Sequence, residues 1–178
     1  GFEQDEAGMV RAIRMDVMLH AYMFMQSGIP VLYSGDEIAQ VNDYTYKEDP
    51  NKAADSRYIH RGAMNWTLAG NISDPDTVEG RVFAQLGQLE QIRKAEKAFV
   101  SNADMWTMDT GDTAVLCIGR YFDGDKVIGM FNFSEYDKTV RIQEDDEDYV
   151  DMISGKKFKY RMNEIQIPAY GFYYLKKK

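Results

Sequence analysis

The chain has 178 residues, 44% of them apolar and 13% aromatic, which places it among globular proteins with enough material for one good core or two small ones. A formal charge of -8 and a pI near 4.8, with no basic stripe and no aromatic-basic platform, exclude nucleic acid as the expected partner and favour a neutral or cationic ligand. No apolar run approaches the roughly 20 residues of a membrane span, and the acidic start GFEQDEAG is no signal peptide.

The single cysteine, Cys117, rules out an internal disulfide and suits a small buried residue in a reducing, cytoplasmic compartment. The chain does not open on Met, so a piece of a longer protein is expected.

Met9, Val10, Ile13, Val17, Tyr22, Phe24 and Met25 recur largely at helical spacing between acidic Asp5 and Glu6 and the stop at Ser27-Gly28, which predicts a helix from about Asp5 to Gln26. Behind Gly28 the short apolar run Ile29 to Tyr33 predicts a strand covered on both faces, as in a parallel sheet. The few residues between the two are the connection expected inside an α/β unit. After the strand comes a long polar stretch, to Gly62, rich in Asp, Asn, Lys, Arg and Tyr; connections of that length are binding loops or lids.

A second helix follows, from Thr77 to Ala98. Asp76 is its expected cap with Glu79 three residues on, and Val82, Phe83, Leu86, Leu89, Ile92 and Phe99 form its apolar stripe. Arg93, Lys94 and Lys97 stand at its C-terminal end, where cations oppose the helix dipole.

From Ser101 the texture changes to short β-rich runs: Met105 to Met108, Thr113 to Phe122, Lys126 to Phe133, Lys138 to Ile142, Tyr149 to Ile153, Lys157 to Arg161, Glu164 to Ile167 and Gly171 to Leu175. Asp123-Gly124 is a hairpin signal between two of them. The expected organisation is α+β: a helix–strand–helix portion over residues 1–100 and an all-β antiparallel sandwich or barrel over residues 101–178. The acidic run Glu144 to Asp148 has no regular ligand spacing and is read as a solvated turn; no metal site and no cofactor are expected.

Three segments carry a resemblance. Gly35-Asp36-Glu37, the run NDYTYKEDPNKAADSRYIHR from Asn42 to Arg61, and FNFSEYDKTV from Phe131 to Val140 resemble, in order and without gaps, the α-amylase superfamily, glycoside hydrolase family 13, and within it the amylosucrase-like enzymes. The resemblance implies that the first helix is the seventh helix of a (β/α)8 TIM barrel, that Ile29 to Tyr33 is its eighth strand, and that the second helix is its eighth. The sandwich would be the family's C-terminal domain. The barrel reading requires Ile29 to Tyr33 to be a strand.

A complete barrel takes about 250 residues. A retaining glycosidase needs two carboxyl groups about 5 to 5.5 Å apart. In the family both precede the part matched here, so the chain is expected to be inactive by itself and no catalytic residue is assigned to it. The implied parent acts on sucrose or an α-glucan by double displacement, passing glucose to an acceptor. Its implied partners are carbohydrate and the remainder of the barrel, with self-association through exposed barrel surface.

Within the loop, Asp36 and Glu37 are rejected as a catalytic pair because neighbours on a strand project to opposite faces; Asp36 is expected to support the barrel mouth or touch a sugar. The resemblance implies that Arg57 pairs with an Asp from an earlier barrel loop and closes a one-glucose pocket; a guanidinium holds a carboxylate bidentately and still has donors for hydroxyls. Without that partner Arg57 is expected to be exposed or paired with Asp55. Asn42, Asp43 and Asp55 offer acceptors to hydroxyls, and Tyr44, Tyr46 and Tyr58 offer flat faces, internal bracing of the loop being the alternative for each.

His60 is expected to brace the loop and His20 to pack on the first helix. Trp66 and Trp106 are expected as core anchors, with sugar platforms as the alternative. Met9, Met15, Met18, Met23 and Met25 are expected to pack. The family pattern has acidic residues where Tyr44 and Thr45 stand, Trp at Tyr58 and Pro at Gly62, so the acceptor does not carry over. Two other readings remain: a non-catalytic carbohydrate-binding or accessory module, marked by exposed coplanar rings on the sandwich, and a structural interaction module.

Overall fold

A computed structural model describes residues 5–141, 148–159 and 164–177. Among these residues, three α-helices, α1 (Glu6–Met25), α2 (Trp66–Ala69) and α3 (Val78–Ala95), precede eight strands: β1 (Asp104–Met108), β2 (Val115–Phe122), β3 (Asp125–Asn132), β4 (Lys138–Val140), β5 (Tyr149–Asp151), β6 (Lys157–Phe158), β7 (Ile165–Ile167) and β8 (Phe172–Lys177). The chain is α+β, with helices first and an antiparallel β domain after them. It divides into two compact units, residues 1–30 with 85–178, and residues 31–84.

α1 has the bounds its spacing implies. The Asp5 carboxylate accepts the Ala7 N–H at 3.1 Å as N-cap, and Gln26 leaves the helix with its N–H on the Met23 carbonyl. Ile13, Val17, Met18, Ala21, Phe24 and Met25 are buried along one side. The methionines divide: Met18 and Met25 are buried and Met23 is half-buried, whereas Met9 and Met15 are exposed together with Leu19. The helix is apolar nearly all round, and only one face has something to pack against.

α3 ends at Ala95 and a 3-10 turn, Lys97–Phe99, completes the segment expected as helix. Its cap is Thr77, whose hydroxyl oxygen accepts the Gly80 N–H at 3.0 Å; Asp76 instead gives its own N–H to the Asp74 carboxylate. Ser, Thr and Asp cap almost equally well, so local sequence does not choose between neighbours.

Ile29 to Tyr33 is not a strand. Ile29 is 89% exposed, Val31 74% and Tyr33 51%. A strand exists only as part of a ladder, and among the described residues no strand precedes Asp104 to supply one. The expectation on which the barrel reading rested is thus unmet in this structure.

The β domain is a six-stranded antiparallel sheet in the order β1-β2-β3-β8-β5-β6, with β4 and β7 paired as a second sheet. β2 and β3 join through Asp123-Gly124, both at positive φ (49° and 87°), the backbone of the hairpin turn that matches strand twist. One face of the large sheet carries Val115, Cys117, Ile128, Met130, Tyr173 and Leu175, which form a core with Val140, Ile165 and Ile167 from the second sheet. Each Val, Leu, Ile or Met among them contributes about 1.5–3 kcal/mol by leaving water. On the other face, Phe131 meets Tyr22 of α1 edge-on and Tyr174 packs on Phe99.

Trp106 is half-buried and lies where a Cβ on its cross-strand partner Gly119 would come within 2.2 Å of the indole, so glycine is what admits the ring. Ile142 and Tyr160–Arg161, at the ends of two expected strands, and all but Asp148 of the acidic run lie outside the described residues.

Candidate functional site

The polar stretch folds as the second unit, and its carboxylates do the bending. At a repeat of six residues, Asp43, Asp49 and Asp55 each accept the backbone N–H two residues on: Thr45 at 2.9 Å, Asn51 at 2.9 Å and Arg57 at 3.0 Å. These are side-chain mimics of a backbone turn, and they need Asp or Asn at the first position. Asp36 and Glu37 bond in the opposite direction, to N–H groups that precede them: Tyr33 at 3.0 Å and Gly35 at 2.8 Å.

The ends of the loop are stapled together. Asn42 Oδ1 and His60 Nδ1 lie 3.0 Å apart, and the Asp43 N–H donates to the Ile59 carbonyl at 2.9 Å. Gln40 extends the staple, donating to the Ala63 carbonyl and accepting from the Asn65 N–H. Asn42 and His60 thus brace the loop.

These bonds move the carboxyl groups. The Thr45 hydroxyl and N–H lower the pKa of Asp43, and the Asn51 N–H lowers that of Asp49. The largest effect is at Asp55, which falls to about 2 through hydrogen bonds from the Arg57 side chain and backbone. Arg57 is raised in return by the same carboxylate. The pair is bidentate, Nε to Oδ1 at 2.8 Å and Nη2 to Oδ2 at 2.7 Å, with the Arg57 side chain 73% exposed.

Two clefts divide the residues singled out in the sequence. The larger, about 350 Å³, is lined by Asp43, Thr45, Tyr46, Asp49, Lys52, Tyr58 and Arg61, within the size range of small-ligand sites. A smaller one of about 50 Å³ brings Asp36 together with Asn42 and His60. Asp55 and Arg57 line neither. Lys52 and Arg61, noted in the sequence only as parts of the motif, stand 5.8 and 5.5 Å from the Tyr58 ring centroid. Arg61 is three residues from Tyr58, the spacing that a 3-10 turn eclipses, and that spacing is the signal by which it could have been found.

Of the other aromatic residues of the loop, Tyr46 is buried and Tyr44 exposed. Trp66 is 78% exposed and anchors no core; it opens the single-turn helix α2, too short to bury an indole. In the β domain, Tyr121 and Tyr136 are exposed. His20 packs on α1, its Nδ1 2.9 Å from the Asp16 carbonyl. Among the described residues no helix is long and apolar enough to cross a membrane.

No family model matches the sequence. The fold, however, matches part of solved enzymes of the α-amylase family, glycoside hydrolase family 13. AmyP in complex with maltose aligns with a TM-score of 0.74 at 18% identity, over 92% of this chain and 34% of that one. Trehalose-6-phosphate hydrolase from Bacillus licheniformis aligns with a TM-score of 0.70 at 16% identity, over 92% of this chain and 38% of that one. The maltogenic amylase from S. marinus gives 0.60 at 20% identity, over 92% and 19%. The chain therefore spans less than two fifths of each of these proteins, and at such identities the likeness is one of fold.

Proposed function

We propose that this chain is the C-terminal part of a retaining, α-glucoside-acting enzyme of amylosucrase-like specificity, which takes glucose from sucrose and passes it to an acceptor. The observation that carries the reading is the alignment of 92% of the chain with about a third of AmyP, solved in complex with maltose. The resemblance of the Asn42–Arg61 run adds the sucrose-acting class. In double displacement one carboxylate attacks the anomeric carbon while an acid protonates the departing oxygen. The same acid, now a base, then takes the proton of the acceptor hydroxyl. Both groups belong to barrel strands outside residues 1–178, and the chain alone is inactive.

What this chain supplies is the wall of the site. Arg57, exposed and already holding one carboxylate, has donors left for a sugar hydroxyl or a second carboxylate; the resemblance adds that it closes the pocket beyond one glucose unit. Asp36, Asn42, Asp43 and Tyr58 line the two clefts of the loop as candidate hydroxyl and ring contacts. Ile29, Val31 and Tyr33 are exposed and form no strand here; the reading requires that they join a ladder supplied by neighbouring barrel strands. The exposed face of α1, with Met9, Met15 and Leu19, is covered by the rest of the barrel or, in its absence, by self-association. Cys117, buried in the sheet, suits a reducing cytoplasm.

The test is fructose release from sucrose by the intact open reading frame and by this chain, side by side. Release by the first and none by the second is the expected result. Release by the 178-residue chain, or none by the intact protein, overturns the proposal. In the latter case, binding of maltotriose by the isolated chain would favour the accessory-module reading.

A further inference from the structure

Asp55 was singled out as a sugar contact, but its oxygens are engaged otherwise. Oδ1 accepts from both the backbone N–H and Nε of Arg57, at 3.0 and 2.8 Å, and Oδ2 accepts from Nη2 at 2.7 Å. Three hydrogen bonds therefore join one carboxylate to one residue only two positions away. An exposed ion pair is ordinarily worth little because two long side chains must be held in place. Here the carboxylate belongs to a short side chain, 29% exposed, that the backbone bond already fixes.

A guanidinium has five N–H donors in a rigid plane. The contacts to Asp55 account for the Nε edge, and among the described residues Nη1 has no acceptor. We infer that Asp55 is a positioning residue for Arg57: by occupying the Nε and Nη2 edge it turns the two Nη1 donors outward as an oriented face for a hydroxyl or carboxylate oxygen. Preorganisation of this kind strengthens binding by removing rotamer freedom before the ligand arrives. The lowered pKa of Asp55, caused by Arg57 with a smaller contribution from Arg61, accords with a carboxylate held ionised by its neighbour. The clamp itself is a property of this chain; only its consequence for sucrose rests on the function proposed above.

Asp55→Asn is the informative variant. Asn caps a turn as well as Asp does, so the 56–60 turn stays, but the charged bidentate contact goes. In the isolated chain at neutral pH, nitrogen-15 NMR should show a protected Arg57 Nε–H and two distinct Nη resonances, both averaged in Asp55→Asn and unaffected in Asp49→Asn. Averaging in the unmodified chain overturns the inference.

In the intact enzyme, Asp55→Asn should raise KM for sucrose about tenfold, the cost of freezing an arginine side chain on binding, with a smaller change in kcat. A KM unchanged by the variant also overturns it. An intact enzyme that does not turn over sucrose at all would remove the sucrose reading while the resonances still decide the clamp.

Discussion

Arg120 is fully buried in the middle of β2, and its Nη1 donates to the Met25 carbonyl at 3.0 Å, so a strand residue closes the C-terminal end of α1. The same guanidinium reaches the Ala98 and Val100 carbonyls, both at 2.7 Å, and stands 5.8 Å from the Phe99 ring centroid. Arg93 approaches the same ring to 5.8 Å and donates to the carbonyls of Phe24, Gln26 and Gly28. A cation at a helix C-terminus is favoured by the macrodipole, and here carbonyl dipoles satisfy it. Burial lowers the pKa of both arginines.

Replacing Arg120 by Met keeps its volume but takes this donor from the Met25 and Ala98 carbonyls, while the Val100 carbonyl keeps only the Ala103 N–H. Loss of about 3 kcal/mol or more is expected, since each buried acceptor without a partner costs about 1–3 kcal/mol. Urea unfolding followed by circular dichroism measures it, and a midpoint unchanged from that of the unmodified chain would contradict the assignment.

Tyr174 ties β8 to α1 through its hydroxyl, which donates to the Ala21 carbonyl at 2.5 Å. Tyr174→Phe should cost about 1 kcal/mol. Burial pushes this phenol well above its ordinary 10.0. A group raised in the folded state adds stability that is complete below its unfolded pKa and is lost as pH climbs toward the folded one, because only the unfolded chain releases the proton. Thermal stability should therefore fall above pH 10, and fall less steeply in Tyr174→Phe.

Asp55 has the opposite sign. Its carboxyl falls from 3.8 to about 2, so its contribution is present above 3.8 and is lost as pH drops through about 2. Carbon-13 carboxyl titration should find it the last of Asp43, Asp49 and Asp55 to take a proton, since its shift alone is large. Arg57→Lys, which cannot supply the two-pronged contact, should return Asp55 toward the ordinary carboxylate range.

Asn132 accounts for much of the FNFSEYDKTV segment. Its buried amide donates to the Tyr136, Ile167 and Pro168 carbonyls at 2.7, 3.2 and 3.0 Å, and its oxygen accepts from Ser134 N and Oγ at 3.0 and 2.8 Å. Asn132→Asp would point a carboxylate oxygen at three carbonyls. Destabilisation of about 3 kcal/mol is expected, read as a fall in the urea midpoint, with Asn132→Ala milder because it removes the donor without adding a charge.

The Asn42–Arg61 run announced a long loop, and its Asp spacing carries the turns that build it, because an Asx turn needs only a carboxylate and an N–H two residues away. Likewise α1 from Asp5, the Asp123-Gly124 hairpin and the eight β runs were legible, since caps, turn residues and hydrophobic period act over a few positions. The pairing of Arg57 with Asp55 belongs to the same class: two residues apart, it was one of two alternatives open to the sequence.

Other features needed neighbours that are distant in sequence. An apolar run such as Ile29 to Tyr33 has strand character, but a ladder requires a second strand, and exposure rather than burial is the result without one. Trp66 is exposed although its composition suits a core, and Arg120 is buried although its charge suits a surface, because what surrounds each is set by chain segments folded against it. Sequence by itself determined the local elements and the turn chemistry of the loop; tertiary structure alone decided which faces are covered, since burial and pairing are properties of two segments together and neither carries the other's position.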